Sequence, residues 1–312
     1  MMKITIVTPT YNRRDLLRRL FQSLEAQAYR DIEWIVVDDG GTDNTEEAVR
    51  DFRESATFEI RFVRKENGGK DQTVNVGLDL ATGDLVAVID DDDYFLPKVF
   101  SLIADDFSGI AASESVAGLA YLAVDPSGKV WGREFPGDRM ISDHFDCRIN
   151  RKIWGDKCEF TKGKVLRSDH FRFLETRTKG GFGADTIFLM RIAERYRTRY
   201  INTPVLVKNF YETGIAVNWR KRGLQNPELA AAYYACYLKR RVRMGIRLRY
   251  MVAYVAIAHY AGYKLAPPEV SLPGNSFLFY LSFLPGIIIG ARWKRYREGS
   301  YPQTKHLMRS KS

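Results

Sequence analysis

Four consecutive carboxylates stand directly behind an apolar run in the first third of the sequence. Residues 85–89 (L-V-A-V-I) have the composition of a buried strand, and the aspartates of residues 90–93 follow at once. Adjacent like charges repel one another, and burying even one carboxylate costs free energy unless a cation lies close to it. The stretch therefore indicates a site that holds positive charge.

Two interpretations of the four aspartates are open. In the first, Asp92 or Asp93 caps a helix that has Pro97 near its start, which accounts for one or two of the carboxylates. In the second, the cluster binds a divalent cation, because hard Mg²⁺ or Mn²⁺ takes carboxylate oxygens and commonly keeps substrate phosphates as further ligands. Only the second accounts for four carboxylates at the end of a strand, so we expect a metal site.

A second acidic pair, Asp38 and Asp39, follows another apolar run, and Lys70 follows a Gly-Gly turn. The aspartates can form a turn-and-cap cluster together with Asp43, or can bond to the base or ribose of a nucleotide. Lys70 can meet a phosphate or a base, or can be an ordinary solvated lysine.

The elements that position these residues alternate in the first half of the chain. Short apolar runs alternate with amphipathic stretches, which is typical of βαβ units and a mainly parallel sheet. The carboxyl ends of parallel strands share one edge of the sheet, where open α/β sheets bind ligands. We therefore expect Tyr11, Asp38, Asp39 and residues 90–93 to converge on one crevice. The predicted strands are residues 4–8, 33–37, 60–63 and 85–89, and the predicted helices are 14–27, 43–52 and 73–81.

The second half of the chain is less regular. Residues 118–173 mix turn sequences with short β-rich runs in an unclear layout. A helical pattern follows within residues 180–200, then a strand at 200–207 and helices at 228–239 and 250–263.

An uncharged segment, residues 271–291, precedes the cationic stretch R-W-K-R-Y-R. Pro273 and Pro285, together with three glycines, interrupt its apolar run, which leaves too short a stretch for a membrane span of about 20 residues. We expect an interfacial or partly inserted hairpin. The alternative is a buried core helix.

The net charge of +10 is confined to the end of the chain. From Lys239 onward there are 14 Lys and Arg against Glu269 and Glu298, which leaves 34 basic and 36 acidic residues before that point. Such a segment indicates contact with an anionic surface, membrane phospholipid first and nucleic acid second.

The cysteines do not suggest a disulfide framework. Cys147, Cys158 and Cys236 are odd in number and have no regular spacing. His144 together with the first two could suggest zinc, but ordinary thiols are the expectation. The first residues contain only a short apolar run and no cleavage-site pattern, so we expect no signal peptide and a cytoplasmic protein.

Several motifs together resemble one enzyme family. T-P-T-Y-N-R, V-V-D-D-G-G-T-D-N-T, E-N-G-G-K with N-V-G, and I-D-D-D-D-Y-F-L-P occur in this order within the first hundred residues. They resemble the family 2 nucleotide-sugar glycosyltransferases of the GT-A fold. The resemblance continues through G-D-K-C-E-F-T-K-G-K-V-L, D-T-I-F-L-M-R-I-A-E-R-Y, Y-I-N-T-P, G-I-A-V-N and N-P-E-L-A-A-A-Y-Y, and covers residues 2–240.

The resemblance implies a fold and a reaction. The fold is α/β, a Rossmann-like mixed sheet flanked by helices, with a helix-rich C-terminal extension. The reaction is an inverting transfer of a sugar from a nucleotide diphosphate donor, with uridine diphosphate as the expected carrier and Mn²⁺ or Mg²⁺ neutralising the leaving diphosphate.

The resemblance also assigns the donor site. Asp92 matches the metal-binding acid of the family, with Asp90 beside it as a second metal ligand and Asp91 near the ribose. The nucleotide-sugar site is completed by residues from three motifs: Thr8, Pro9, Tyr11, Asp38, Asp39 and Lys70.

The general base of the family comes from an acidic pair that precedes a helix. Here only Asp185 of that pair remains, with Ala184 in the partner position, and Glu175 is the reserve candidate. Gly41 also replaces the usual serine of the D-D-G-S motif.

These observations lead to one expected function and two alternatives. We expect residues 1–225 to form the catalytic domain and residues 226–312 a helical, basic and apolar region that associates with membrane. The acceptor is then a lipid-linked or membrane-bound glycan of surface polysaccharide synthesis, the enzyme is peripheral on the inner face of the plasma membrane, and nucleic acid is not a partner. The alternatives are Mg²⁺-dependent nucleotidyl or phosphoryl transfer, and a basic module that binds membrane or nucleic acid.

Overall fold

The structure is a computed structural model that describes residues 2–175, 183–209, 219–263 and 275–297. The G-I-A-V-N motif at residues 214–218 lies outside them, as does Pro273. The chain divides into two compact units, Met1–Leu229 and Ala230–Ser312. This division falls four residues after the predicted boundary between residues 225 and 226, and the units are described separately below.

The strands of the described residues form one mixed sheet in the first unit. Their order is β3-β2-β1-β4-β8-β6-β9-β5, and β7 pairs with β9. The strands are β1 (Ile4–Thr10), β2 (Ile32–Asp38), β3 (Glu59–Arg64), β4 (Leu85–Val88), β5 (Tyr94–Phe95), β6 (Val116–Val124), β7 (Met140–Ser142), β8 (Lys157–Lys162) and β9 (Arg197–Val207).

Helices connect the strands and make up the described part of the second unit. A π-helical turn, Phe145–Asn150, follows β7. The α-helices are α1 (Arg14–Glu25), α2 (Thr45–Ser55), α3 (Lys70–Leu80), α4 (Val99–Ser108), α5 (Gly163–Ser168), α6 (Ala184–Ala193), α7 (Trp219–Gln225), α8 (Pro227–Cys236), α9 (Met244–Ala261) and α10 (Asn275–Arg297). The boundary between the units falls within α8.

Helices cover both faces of the sheet, which explains why β1 and β2 are buried along their whole length. On one face, apolar residues of α1, α2 and α4 pack on the sheet around Trp34. On the other face, residues of α3, α5 and α6 pack around Val7 and Ile35. Gly77 lets α3 approach closely, because a Cβ atom there would lie 2.2 Å from the side chain of Val7. The sheet is thus the middle of three layers.

The predicted parallel half of the sheet is confirmed. Strands β3, β2, β1 and β4 are neighbours and all parallel, and Thr10 at the end of β1 pairs in register with Asp38 at the end of β2. Since Val7 pairs with Val88 of β4, the residues after β4 emerge at the same edge. The residues after β1, β2 and β4 therefore emerge at the same edge of the sheet.

The helix-cap interpretation of Asp92 and Asp93 is wrong. Strand β5 intervenes after these residues, and α4 begins only at Val99, with Lys98 at its N-cap. Phe95 of β5 is buried and packs edge-on against Phe100 at 4.7 Å, so the chain enters the core before the helix starts.

The segment predicted as a broken hairpin is one helix within its described part. Helix α10 runs from Asn275 to Arg297 through Pro285, and it packs on α9 in the second unit. Gly286 and Gly290 allow close packing rather than ending the helix. A Cβ atom on Gly286 would lie 2.5 Å from the side chain of Val255, and one on Gly290 would lie 2.5 Å from the carbonyl oxygen of Ala256.

Other boundaries shift by a few residues. The third helix begins at Lys70 rather than at residue 73, so Lys70 lies in the first turn of α3. The helix predicted at 250–263 begins at Met244. In the region of unclear layout, β8 inserts antiparallel between β4 and β6, a long-range pairing that turn sequences do not encode.

Candidate active site

The acidic turn after β4 presents its four carboxylates in different directions. Asp91 and Asp93 are buried, whereas Asp90 and Asp92 are partly exposed. Asp91 Oδ2 accepts a hydrogen bond from Thr10 Oγ1 at 2.8 Å, so this carboxylate points back to the end of β1. The main-chain oxygen of Asp92 accepts a bond from the side-chain amide of Asn209 at 2.5 Å.

Arg13 joins two of these carboxylates. Its Nη1 atom lies 2.7 Å from Asp91 Oδ1, and its Nη2 atom lies 2.5 Å from Asp92 Oδ2. Burial nevertheless raises the pKa of Asp91 to about 7. Arg13 is thus a built-in counter-charge at the predicted metal ligand Asp92.

Two lysines neutralise the other side of the turn. Lys70 Nζ donates to Asp90 Oδ1 at 2.5 Å, and Lys208, just beyond β9, lies 2.8 Å from Asp93 Oδ2 and 3.9 Å from Asp90 Oδ2. Burial opposes the ionisation of Asp90, but the two ammonium groups hold its pKa below the ordinary value. Burial raises the pKa of Asp93 to about 7, and Asp93 Oδ1 has no hydrogen-bond partner within the described ranges.

The turn has the donor set of a divalent-cation site. One carboxylate oxygen each from Asp90, Asp92 and Asp93 lie within 4.8 Å of one another. Carboxylate oxygens are the ligands that Mg²⁺ and Mn²⁺ prefer, so the residues fit such an ion. Two members are the predicted ligands, Asp90 and Asp92, whose assignment stays a prediction; Asp93 is a third candidate that the sequence did not single out.

The zinc alternative gains no support. Among the residues that the structure describes, no other group of three His, Cys, Asp or Glu side chains is arranged to hold a metal. Cys147 and Cys158 are buried free thiols, and burial raises the pKa of Cys147 to about 12.

The pair after β2 organises the neighbouring loops. Asp39 Oδ1 accepts bonds from Lys65 Nζ and the Gly68 N–H, and Oδ2 accepts from the Gly69 N–H, each at 2.8 Å. Burial opposes the ionisation of Asp39, but these donors lower its pKa below the ordinary value. Asp39 therefore anchors the Gly-Gly loop that precedes Lys70.

Asp38 has a different role in the same turn. Its Oδ1 atom accepts the Gly41 N–H at 2.8 Å, and burial raises its pKa. A Cβ atom on Gly41 would lie 2.9 Å from Asp38 Oδ1 and 3.0 Å from Asn12 Oδ1, so a side chain at this position would displace these two polar groups. An open cleft of about 520 Å³ borders Asp38, Gly41 and Arg64 at the start of α2.

The three residues predicted from the first motif differ in exposure. Tyr11 follows β1 and is 48% exposed, so its ring is available at the strand edge. Pro9 is buried in β1. Thr8 is fully buried, and its hydroxyl accepts a bond from Trp34 Nε1 at 3.0 Å, so its side chain faces the core and not the crevice.

Further carboxylates lie on the other side of Lys70. Asp185 is exposed in the first turn of α6, and its charge together with that of Asp90 raises the pKa of Lys70, against the effect of burial. Asp71 is buried and makes no hydrogen bond within the described ranges; burial and then the charge of Asp185 raise its pKa to about 6. Glu175 Oε1 accepts a bond from Asn75 Nδ2 at 2.6 Å.

The sequence reasoning missed Arg13, Lys208 and Asp71 as members of the site. Arg13 is the last residue of the T-P-T-Y-N-R motif, so the motif contained it. Lys208 follows a strand end, but its role depends on the pairing of β9 with β5, which brings Val207 opposite Tyr94. Asp71 lies one position after Lys70 on α3.

Comparison of the sequence with known proteins identifies a family. The family described as "Glycosyl transferase family 2" matches residues 5–172, more than half of the chain. The GalNAc(5)-diNAcBac-PP-undecaprenol beta-1,3-glucosyltransferase of Campylobacter jejuni is 33% identical over 105 residues, which are 33% of this chain and 34% of that protein. The curated relatives match over 13% to 40% of their own lengths.

Solved structures share the fold over nearly the whole chain. TarS 1–349 of S. aureus, solved with UDP-GlcNAc, has a TM-score of 0.59 at 17% identity, covering 96% of this chain and 93% of that chain. The mannosyltransferase PcManGT of Pyrobaculum calidifontis, solved with GDP-Man and Mn²⁺, has a TM-score of 0.54 at 18% identity, covering 96% and 88%. The fold is therefore GT-A, as the sequence predicted. From the match to more than half of its residues, the chain belongs to family 2 of the glycosyltransferases.

Proposed function

We propose that the chain transfers a sugar, with inversion, from a nucleoside diphosphate sugar to a hydroxyl group of a lipid-linked or membrane-bound glycan in surface polysaccharide synthesis. Uridine diphosphate is the expected carrier. The observation that carries the proposal is the contact of Lys70 with Asp90 of the acidic turn, to which the charge of Asp185 at the start of α6 adds by raising the pKa of the same lysine. A donor phosphate near Asp90 and an acceptor hydroxyl near Asp185 would face each other across one sugar.

The donor end uses the acidic turn. Asp90 and Asp92, with Asp93 beside them, would hold Mn²⁺ or Mg²⁺. Such an ion supplies Lewis-acid neutralisation of the charge on the leaving diphosphate. Lys70 adds a second positive charge from the protein itself, and Asp91 faces the strand end where the ribose is expected.

The nucleoside end uses the strand edge beside the turn. Asp39 keeps the Gly68–Gly69 loop ordered, so the nucleoside meets a preorganised wall. The exposed ring of Tyr11 can stack on a base, and Asp38 borders the adjoining cleft. Thr8 and Pro9 are buried in β1, three and two residues before Tyr11 in the same motif.

The acceptor end uses Asp185. Inversion requires a base that removes the proton of the acceptor hydroxyl on the side of the sugar opposite the leaving group. Asp185 is exposed, and no described residue bonds to its carboxylate. Glu175 is the weaker candidate because Asn75 already donates to its carboxylate.

The acceptor class rests on the end of the chain and on a relative. The basic excess after residue 239 suits an anionic membrane surface, where a lipid-linked acceptor would lie. The name of the Campylobacter relative includes PP-undecaprenol, which supports a lipid-linked acceptor for this chain.

The donor is identified by incubating the full chain with Mn²⁺ and a panel of nucleotide sugars. We expect one sugar nucleotide to raise the melting temperature and to release nucleoside diphosphate. A parallel incubation with nucleoside triphosphates and sugar 1-phosphates tests the alternative. Release of pyrophosphate there, with no nucleoside diphosphate released from any nucleotide sugar, would indicate nucleotidyl transfer and would overturn the proposal.

The base is tested with Asp185→Asn. We expect unchanged nucleotide affinity and a loss of turnover of at least about 100-fold, which is the contribution of a general base. Asp51→Asn, an exposed acid on α2, is the matched control and should keep full turnover. Full turnover in Asp185→Asn, together with a loss in Glu175→Gln, would assign the base to Glu175.

A further inference from the structure

Helix α10 carries an apolar stripe on its solvent side. Five large side chains on this helix are between 51% and 78% exposed. Their positions, at intervals of three, four, seven and eleven from the first, fall on one helical face. At 1.5 Å per residue the stripe is about 16 Å long. The stripe consists of Phe277, Tyr280, Leu281, Leu284 and Ile288.

The opposite face of α10 packs against α9. Leu278, Ser282, Gly286 and Gly290 are buried, and the two glycines lie against α9 at distances that leave no room for a side chain. The stripe therefore cannot turn inward without breaking the contact between α9 and α10. Large apolar side chains that stay exposed on the outer face of a packed helix indicate a surface that binds an apolar partner.

Charge identifies the partner. Exposed Arg292, Lys294 and Arg295 follow the stripe within the last turns of the helix, and α10 contains no Asp or Glu. An apolar stripe that ends in cations complements a bilayer surface with anionic headgroups, where apolar side chains enter the acyl boundary and cations remain among the phosphates.

The dimensions favour a helix that enters one leaflet. By length and composition, residues 275–295 are the one described helix that could cross a membrane. The stripe, however, is about half as long as the hydrocarbon core of roughly 30 Å. The other face of the helix also contains the buried polar side chains of Asn275 and Ser282 and packs on protein. Both features are typical of an interfacial helix.

We propose that the stripe is the membrane-docking surface of this protein, that it inserts into one leaflet of an anionic bilayer, and that Arg292, Lys294 and Arg295 bind lipid phosphates. Its purpose, bringing the enzyme to a membrane-bound acceptor, rests on the proposed function, whereas its chemistry does not.

The test is flotation of the full chain with vesicles. We expect binding to vesicles containing phosphatidylglycerol, at least about tenfold stronger than to phosphatidylcholine alone and weakened by salt. Leu284→Glu with Ile288→Glu should reduce binding at least about tenfold, because two charges then enter the acyl boundary. Leu284→Met with Ile288→Leu should bind as the wild type does.

Ile141→Glu is the matched control, because Ile141 is an exposed apolar residue of the first unit. It should leave vesicle binding unchanged, and circular dichroism should be the same for all variants. Equal flotation of the wild type and the double glutamate variant would overturn the proposal. A second outcome would also overturn it: the wild type sediments as a dimer, the double glutamate variant sediments as a monomer, and neither protein binds vesicles. The stripe would then contact a second copy of the chain.

Donor hydrolysis in detergent-free buffer separates this proposal from the proposed function. Flotation without any release of nucleoside diphosphate would support the docking surface and contradict the reaction. Release of nucleoside diphosphate by a protein that does not float would contradict the docking surface alone.

Discussion

The Nζ atom of Lys70 lies 2.5 Å from Oδ1 of Asp90, and the charge of Asp185 also raises the pKa of this ammonium group. Asp90 follows β4, and Asp185 lies in the first turn of α6. One lysine at the start of α3 therefore links the predicted metal end of the site to the predicted base.

Replacing this lysine should weaken donor binding. Lys70→Met removes a charge-assisted hydrogen bond to Asp90 and a cation that would meet the donor phosphates. A bond of this type contributes about 1.5–3 kcal/mol, so the affinity for UDP in the presence of Mn²⁺ should fall at least about tenfold in titration calorimetry. Lys164→Met, an exposed lysine on α5, is the control. Equal affinities of the two variants would exclude Lys70 from the donor site.

The ion pair of the partly exposed Lys208 and the buried Asp93 should be strongly coupled. Asp93 is 1% exposed and lies 2.8 Å from Lys208 Nζ, so Lys208→Met leaves a buried carboxylate without its counter-charge. Breaking a fully buried pair costs about 3–5 kcal/mol. Because Lys208 is partly exposed and Asp93 can take up a proton, we expect a smaller loss, which urea unfolding would measure. The double variant Lys208→Met with Asp93→Asn should recover part of that loss. A double variant as unstable as the single one would show that the pair does not interact.

The buried carboxylate of Asp71 should make stability depend on pH. Its folded-state pKa of about 6 lies above the ordinary value of 3.8, so the folded chain holds this proton more tightly than the unfolded chain does. That contribution to the free energy of unfolding is complete below about pH 4 and is lost as the pH rises through 6.

Asp71→Asn should therefore raise the free energy of unfolding at pH 8, by an amount on the order of 2 kcal/mol, and change it little at pH 4. Urea unfolding at both pH values measures the difference. Asp51→Asn is the control, since that acid is exposed. A gain of equal size at both pH values would mean that ionisation of Asp71 is not its source.

The sequence predicted the parallel half of the sheet and its acidic edge because both follow from local patterns. Each strand is a short apolar run, and the polar residues after it must emerge at the edge where parallel strands end. The contact between Arg13 and Asp92 lies at this predicted edge, because Arg13 follows β1 and Asp92 follows β4. The contact between Lys208 and Asp93 was not predictable in this way. It depends on the pairing of β9 with β5, and β9 enters the sheet far along the chain.

Two other residues illustrate what local patterns leave undetermined. Thr8 was assigned to the nucleotide-sugar site by resemblance; its hydroxyl bonds to Trp34 in the core, and the assignment itself stays a prediction. Since β1 is buried on both faces, its sequence does not show which side chains face the ligand edge. Gly286 resembles a helix breaker in the sequence, but it permits the close approach of α9, which only the tertiary structure reveals.

The central claim is that the aspartates after β4 hold a divalent cation that binds the donor diphosphate. Titration calorimetry of the full chain with UDP, in Mn²⁺ and then in EDTA, tests it most directly. We predict binding at least about tenfold tighter with Mn²⁺ for the wild type and for Asp51→Asn, and no such enhancement for Asp92→Asn. Equal affinity of the wild type in Mn²⁺ and in EDTA would contradict the claim.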